Sequence, residues 1–256
     1  MNNNDSSNNH VKSTVIFEYP LNEKIRTWLR IEFLLKQLMQ NKIIQESNAL
    51  PFFHSLSELL EIVERNDIRN DLMKDLDEQK QKLSLWNDVP GVDLTVLNHL
   101  INQINTVTSS LSTHSLLAQE LRQDKLISSI RKRLTIPGGC CNFDLPAFYL
   151  WLQLSQQTRD KIMEQWLSSL TTLKDAITLL LSLIRQSGIF ETQPYHNNFY
   201  QSPTKIINLL RVRIPVSHQA YPLISGNASR YTIRFAQLDT ATENIIPLCK
   251  FELACC

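Results

Sequence analysis

Two pairs of adjacent cysteines are the residues of this 256-residue chain whose type is best suited to chemistry, Cys140-Cys141 and Cys255-Cys256. The first pair precedes a predicted helix that begins near Pro146, and a helix N-terminus lowers the pKa of a nearby thiol. A cysteine nucleophile also needs a base, and no histidine stands near this pair in the sequence. We therefore interpret the pair as small residues in a tight corner and predict that the chain is not an enzyme.

Metal and cofactor sites have little support in the sequence. Structural zinc sites usually separate their cysteines by two or more residues, and these cysteines are adjacent. The six histidines are scattered without the spacing of metal ligands. Gly138-Gly139 lacks the Lys-Ser/Thr of a phosphate-binding loop. The sequence predicts no cofactor and no metal.

Basic residues on alternating stretches near the end of the chain give a stronger signal. Leu210–Ile214, Arg230–Phe235 and Lys250–Leu253 alternate apolar and polar residues, as strands with one buried face do. Their polar positions carry Arg211, Arg213, Arg230, Arg234 and Lys250, with Glu252 as the single anion. If the three strands form one sheet, its outer face is strongly basic.

A basic sheet face of this kind indicates a binding surface for an anionic partner, because arginine forms bidentate hydrogen bonds to carboxylates and phosphates. The favoured partner is an acidic or mixed-charge peptide. The alternative is nucleic acid, but the net charge is only +1. The polar positions of these strands also lack aromatic residues on which bases could stack. Nucleic acid is therefore not expected.

The elements that position these residues are mostly helical. Thr14–Pro20 is predicted to be a strand that joins the C-terminal sheet, and helical patterns follow from Asn22 to Ser187. A fifth helix is expected over about Leu116–Leu134. After the corner, Asp144 is predicted to cap a helix over Pro146–Gln153 that is buried on all sides.

The fold class predicted from this order is α+β, with an N-terminal all-helical domain followed by a small antiparallel β-sheet domain. The expected boundaries are a disordered tail over 1–13, the joining strand over 14–20, the helical domain over 21–190 and the β-rich domain over 191–256. Thr192–Lys205 is expected to be a polar connection. Its prolines and polar residues indicate a loop more than a strand.

Composition limits where the chain functions. The hydrophobic fraction of 43% is normal for a globular protein. The most apolar window, Ile177–Ile184, is far shorter than the roughly 20 residues that a membrane-spanning helix needs. The Asn- and Ser-rich start has no apolar run, and the five cysteines form no disulfide framework. A cytoplasmic protein without a membrane contact is expected.

The corner sequence Ile136-Pro-Gly-Gly-Cys-Cys-Asn-Phe-Asp-Leu-Pro146 resembles the signature of the ZapD family of bacterial cell-division proteins. Further stretches match the family in order. They are Phe17-Glu-Tyr-Pro-Leu-Asn-Glu-Lys-Ile-Arg-Thr-Trp-Leu-Arg-Ile-Glu-Phe33, Val89-Pro-Gly-Val-Asp93, Ser225-Gly226, Ser229-Arg-Tyr-Thr-Ile-Arg-Phe235 and Phe251-Glu-Leu-Ala-Cys-Cys256. The resemblance extends over nearly the whole chain from Val15.

The resemblance implies a function at the division site, mid-cell. ZapD proteins are homodimers that bind the flexible C-terminal tail of FtsZ, the tubulin-like division GTPase, and bundle its filaments. By resemblance, the residues of this contact fall on Arg65, Arg230 and Arg234. Arg30 and Lys125 are weaker candidates for this contact. Arg211 and Arg213 are candidates because the alternation of Leu210–Ile214 places them on the outward face of a strand. The sequence does not give the dimer interface, for which an apolar helical surface is the default expectation.

Overall fold

The structure, a computed structural model, describes residues 14–65, 67–113, 118–195, 199–203, 207–227, 230–238 and 249–256. The predicted disordered tail over 1–13 lies outside the described residues. Within the described ranges, one strand precedes a run of helices and the other strands of two antiparallel sheets follow, so the predicted α+β class is confirmed.

Nine α-helices lie in the described part of the chain. They are α1 (Glu23–Gln40), α2 (Glu46–Arg65), α3 (Ile68–Ser84), α4 (Leu94–Thr113), α5 (Gln119–Gln123), α6 (Lys125–Leu134), α7 (Pro146–Gln153), α8 (Gln156–Ser168) and α9 (Thr171–Gln186). The helix expected over 116–134 is divided at Asp124. The Asp124 carboxylate accepts a hydrogen bond of 2.9 Å from the Ile127 N–H and so caps α6.

The corner before α7 differs from its prediction in two ways. Leu145, not Asp144, is the N-cap residue, and the Asp144 carboxylate lies 3.6 Å from the Arg133 guanidinium instead. The helix is buried on one side only, through Phe148 and Trp151, while Leu150 is 66% exposed. Gly138 has φ +69°, a left-handed conformation that favours glycine.

Seven strands lie in the described residues, in two antiparallel sheets. They are β1 (Thr14–Pro20), β2 (Glu191–Pro194), β3 (Tyr200–Pro203), β4 (Leu209–Pro215), β5 (Ala220–Asn227), β6 (Arg230–Gln237) and β7 (Lys250–Cys255). The first sheet has the order β1-β4-β7-β2 and the second β3-β6-β5. β1 pairs with β4, so the prediction that the N-terminal strand joins the C-terminal sheet is confirmed.

Two further expectations about the strands are wrong. The three basic strands do not form one sheet, because β4 and β7 belong to the first sheet and β6 to the second. The stretch expected to be a connection holds β2 and β3, which pair with β7 and β6. β5 is a further strand that the alternation did not identify.

Apolar side chains of both sheets form one core. Leu210, Val212 and Leu253 of the first sheet and Tyr231 and Ile233 of the second are at most 4% exposed. Since neighbouring side chains of a strand point to opposite faces, the residues between them lie on outer faces. This core therefore determines which arginines face outward.

The chain divides into two compact units. The described residues up to Arg26 and from Ile184 onward form the β unit, and Thr27–Leu183 form the helical unit. The helical unit has an aromatic core in which Phe53 contacts Phe148, Trp151 and Trp166 at ring-centroid distances of 5.4 to 5.8 Å. Within the described ranges no single helix is long and apolar enough to cross a bilayer; α8 and α9 reach that length only as a pair bent by 52°.

Candidate partner-binding surfaces

The outer face of the first sheet holds Arg211 in an internal ion-pair cluster. Glu18 of β1 lies opposite Arg211 of β4 in the strand register. The Glu18 carboxylate accepts hydrogen bonds from Arg211 Nε at 3.0 Å and from Arg185 Nε at 2.8 Å and Nη2 at 2.7 Å. The three side chains are only 18–20% exposed. Arg211 is therefore engaged within the β unit.

Arg213 is engaged in a similar way. Its Nη1 donates a hydrogen bond of 3.0 Å to Glu252, which lies opposite it on β7. The guanidinium also stacks 3.7 Å from the ring centroid of Phe190. A cation in this position has both a carboxylate and an aromatic face as partners. The sequence prediction placed Arg211 and Arg213 outward, but it did not identify these partners.

Arg230 and Arg234 lie on the outer face of the second sheet. Both are exposed, while Tyr231 and Ile233 between them are 3% and 0% exposed. With the Gln201 amide oxygen turned toward it, Arg230 donates from Nε and Nη2 at 2.9 Å each. Within the part of the chain that the structure describes, neither arginine pairs with a carboxylate. Their charges are thus available to a partner.

Exposed apolar side chains accompany these arginines. Leu223 lies directly opposite Arg234 and is 53% exposed. Tyr221, two residues earlier on the same side of β5, and Phe199, beside inward-facing Tyr200, are 36% and 45% exposed. We call Arg230, Arg234, Leu223, Tyr221 and Phe199 the second-sheet surface. The outward positions of β6 itself carry no aromatic residue, but Tyr221 of β5 and Phe199, just before β3, add aromatic side chains to this surface.

The other predicted arginines lie in the helical unit, in a groove between α1 and α2. This α1–α2 groove has a volume of about 520 Å³ and is lined by Thr27, Arg30, Phe33, Leu34, Glu58, Glu61, Ile62 and Arg65. Phe33 is 59% exposed, and Arg65 forms an ion pair with Glu61 on α2. The groove therefore combines apolar walls with charges of both signs, which suits a mixed-charge peptide.

Lys125, the first residue of α6, is exposed and does not line the α1–α2 groove. Nearby in the chain, Arg131 of the same helix donates hydrogen bonds of 2.8 and 3.0 Å to Glu64 of α2. This bidentate pair lowers the pKa of the Glu64 carboxyl. Arg131 is thus a structural arginine that joins α2 to α6, whereas Lys125 remains a candidate for partner binding.

The Cys140 thiol does not have the lowered pKa of a cysteine nucleophile. Burial raises the pKa of the Cys140 thiol, and Cys141 and Asp144 raise it further. Cys141 Sγ lies 3.5 Å from the Asp144 carboxylate. A raised pKa keeps the thiol protonated and unreactive. Among the described residues, no group of three or more His, Cys, Asp or Glu side chains is arranged to hold a metal ion.

Comparison with known proteins gives consistent matches over nearly the whole chain. A family model described as ZapD, cell division protein, matches residues 29–234. The "Cell division protein ZapD" of Pectobacterium carotovorum subsp. carotovorum (strain PC1) is 50% identical over 245 residues, covering 95% of this chain and 98% of that protein. Its counterpart in Serratia proteamaculans (strain 568) is 47% identical over 247 residues, covering 96% and 99%. The protein of the same name in Escherichia coli O9:H4 (strain HS) is 47% identical, covering 96% and 100%.

Proposed function

The chain belongs to the ZapD family of cell division proteins, and we propose that it is a non-enzymatic factor that binds the C-terminal tail of FtsZ. As a homodimer it cross-links FtsZ filaments into bundles and promotes Z-ring assembly. It works in the cytoplasm at mid-cell and requires no nucleotide or metal of its own.

The observation that carries this proposal is the second-sheet surface. Arg230 and Arg234 have no carboxylate partner within the described residues, and exposed Leu223, Tyr221 and Phe199 stand beside them. An acidic peptide with apolar side chains fits both features, because the arginines supply charge-assisted hydrogen bonds and the apolar residues bury against its side chains.

The α1–α2 groove is the proposed second contact for the tail. It offers Arg30 and Arg65 to acidic residues and Glu58 and Glu61 to basic ones, with Phe33 as an apolar anchor. Lys125 supplies a further cation on the helical unit. A mixed-charge groove adds specificity, because a misplaced peptide brings like charges together.

Avidity converts weak tail contacts into filament bundling. Exposed ion pairs contribute only about 0–1 kcal/mol each, so one tail on one protomer binds weakly. A dimer that meets a filament with many tails gains on the order of a hundredfold or more without new contacts. Cross-linking then requires only that the two sites of a dimer reach different filaments.

Nucleic acid is the second candidate partner for the second-sheet surface. Tyr221 and Phe199 beside two arginines provide the stacking faces and cations that single strands use. The sequence pI of about 7.7 favours nucleic acid less than the FtsZ tail as a partner, because nucleic-acid-binding domains are usually more basic.

The test is a titration of the full chain with a labelled peptide of the FtsZ C-terminal tail, at low and at moderate salt. Saturable binding that weakens with salt is expected, and bundling of FtsZ filaments should fall steeply as salt rises. A labelled single-stranded oligonucleotide is titrated in parallel. If the chain binds the oligonucleotide tightly but does not bind the peptide at low salt, nucleic acid and not the FtsZ tail is the partner.

A further inference from the structure

A small pocket in the helical unit has an aromatic floor, and we call it the tryptophan pocket. It lies where the junction of α5 and α6 meets α7 and α8, and its volume is about 320 Å³. Its apolar lining consists of Leu121, Leu126, Trp151, Ile162 and Trp166. Leu121, Trp151 and Trp166 are at most 7% exposed and therefore form the floor. An apolar cavity of this size with a few polar groups is typical of a ligand site.

Two carboxylates give the tryptophan pocket a negative charge. Glu120 and Asp124 both line it, and they lie one helical turn apart, because the Asp124 N–H donates to the Glu120 carbonyl at 3.0 Å. The Asp124 carboxylate is held in place by hydrogen bonds of 2.9 Å from the Ile127 N–H and 3.1 Å from Trp166 Nε1. Within the described residues, neither carboxylate forms an ion pair. Both charges are therefore available to a cation.

Trp151 adds a hydrogen-bond donor without an acceptor. The faces of its ring are covered by Phe148 and Trp166, at centroid distances of 6.2 and 5.8 Å, so an edge of the indole lines the pocket. The side chain is only 5% exposed, and its Nε1–H has no hydrogen-bond partner in the part of the chain that the structure describes. A buried N–H without an acceptor is destabilising, and a ligand that brings an acceptor to it gains affinity.

We propose that the tryptophan pocket binds an arginine side chain of a partner peptide. The guanidinium pairs with Glu120 and Asp124, its apolar stem packs on the floor, and a backbone carbonyl of the peptide accepts from Trp151. Arginine fits because its planar fork offers five donors to carboxylates. The carboxylate oxygens retain lone pairs for these donors, since each oxygen can accept two hydrogen bonds.

The acceptor distinguishes a peptide from a free amine. A polyamine carries positive charge on an apolar chain, but at neutral pH it has only donors and leaves the Trp151 N–H without a partner. The proposal goes beyond the proposed function and does not depend on it. The tryptophan pocket takes a cation, whereas the second-sheet surface takes an acidic peptide.

The experiment follows the four indole N–H signals of the full, ¹⁵N-labelled chain by NMR while N-acetyl-arginine methylamide is added. The signal of Trp151 is identified by its loss in W151F. It should shift saturably, with a dissociation constant on the order of 1 mM, because one side chain buries little surface. The Trp28 signal should not move, since that N–H already donates to Asp75 at 2.8 Å.

Two further compounds separate the contributions to binding. N-acetyl-norleucine methylamide keeps an apolar stem and the carbonyls but lacks the charge, and it should bind about tenfold more weakly. Spermidine keeps the charge but lacks the acceptor, and it should leave the Trp151 signal in place. If spermidine binds as tightly as the arginine compound, the ligand is a free polyamine and the peptide assignment is wrong.

Two variants and a matched control locate the site. E120Q removes one exposed carboxylate and W151F removes the donor, and each should weaken binding of the arginine compound about threefold, as measured by calorimetry. E164Q removes the same charge from an exposed position of α8 that does not line the pocket, and it should have no effect. Circular dichroism verifies that each variant is folded.

The proposal is overturned if the Trp151 signal does not shift at about twenty times the expected dissociation constant. Equal affinities of E120Q and E164Q for the arginine compound would overturn it as well. Tail-peptide affinity, measured on the same variants, should stay unchanged. A chain that binds the arginine compound but not the tail peptide refutes the proposed function alone, and the reverse result refutes the tryptophan pocket alone.

Discussion

The two sheets of the β unit use outward-facing arginines in opposite ways. On the first sheet, Arg211 and Arg213 meet Glu18 and Glu252 at 3.0 Å, and the strand register brings each pair together. On the second sheet, Arg230 and Arg234 have polar or apolar neighbours, Gln201 and Leu223. Arginines with carboxylate partners stabilise the fold, and arginines without them are available for binding. The same alternation in sequence thus accompanies two different environments of the outward-facing arginines.

The largest expected effect is on binding by the second sheet. R230E/R234E should lower the affinity for the FtsZ tail peptide by about a hundredfold, because two attractive charges become repulsive. Fluorescence anisotropy with labelled peptide measures the loss. The control is K42E/K161E, which changes the net charge equally at exposed positions of the helical unit. Equal losses in both double variants would mean that overall charge, and not this surface, governs binding.

On the first sheet the largest effect should be on stability. E18A leaves Arg185 and Arg211 close together, about 20% exposed and without their shared carboxylate. The free energy of unfolding should fall by about 2 kcal/mol, as is typical when one partner of a largely buried ion pair is removed. Urea unfolding measures the change, and tail-peptide affinity should not move. If the E18A chain is folded but binds the peptide more weakly, the first sheet also contributes to peptide binding, and the two sheets do not differ in the way proposed.

R213K is a smaller test of the first sheet. Lysine retains the charge opposite Glu252 but loses the planar stack on Phe190. Since the pair is 32–40% exposed, unfolding free energy should fall by less than about 1 kcal/mol. Thermal unfolding detects the shift, and R213Q, which removes the charge as well, should be less stable than R213K. The reverse order would show that the positive charge opposite Glu252 does not stabilise the fold.

The smallest effect is expected at Gln201. This side chain holds the Arg230 guanidinium in place without neutralising it. Q201A should therefore weaken peptide binding about threefold, which corresponds to the ordering of one flexible side chain. Q201E should weaken peptide binding more, because the new carboxylate would pair with Arg230, as Glu18 and Glu252 pair with the arginines of the first sheet. Unchanged affinity in Q201E would count against Arg230 as a contact residue.

Sequence reasoning identified the outward side of each basic strand because alternation is a local property. It could not pair the strands correctly. β5 contains Pro222 and Gly226, and β2 and β3 are polar and end in proline, so all three lack a strand signature. Without them, the basic strands seemed to be neighbours, and Tyr221 and Phe199 were not placed beside the arginines.

The partners of the first-sheet arginines were also beyond local reasoning. Glu18 and Arg211 are 193 positions apart in the chain, and only the pairing of β1 with β4 brings them together. The signature corner shows the same limit at short range. Asp144 had the residue type of an N-cap, but its carboxylate is directed to Arg133 at the end of α6. Tertiary contacts decided both cases.

The pairing of β1 with β4 also has a consequence for how the protein is made. β1 leaves the ribosome first, yet its hydrogen-bonding partner follows only after all nine described helices have been synthesised. Helices form through local contacts and fold quickly, whereas distant strand pairing is slow. The helical unit is thus able to fold during synthesis, while β1 stays unpaired until β4 has been synthesised. We expect the β unit, and with it the arginine surface, to be the last part of the molecule to become functional.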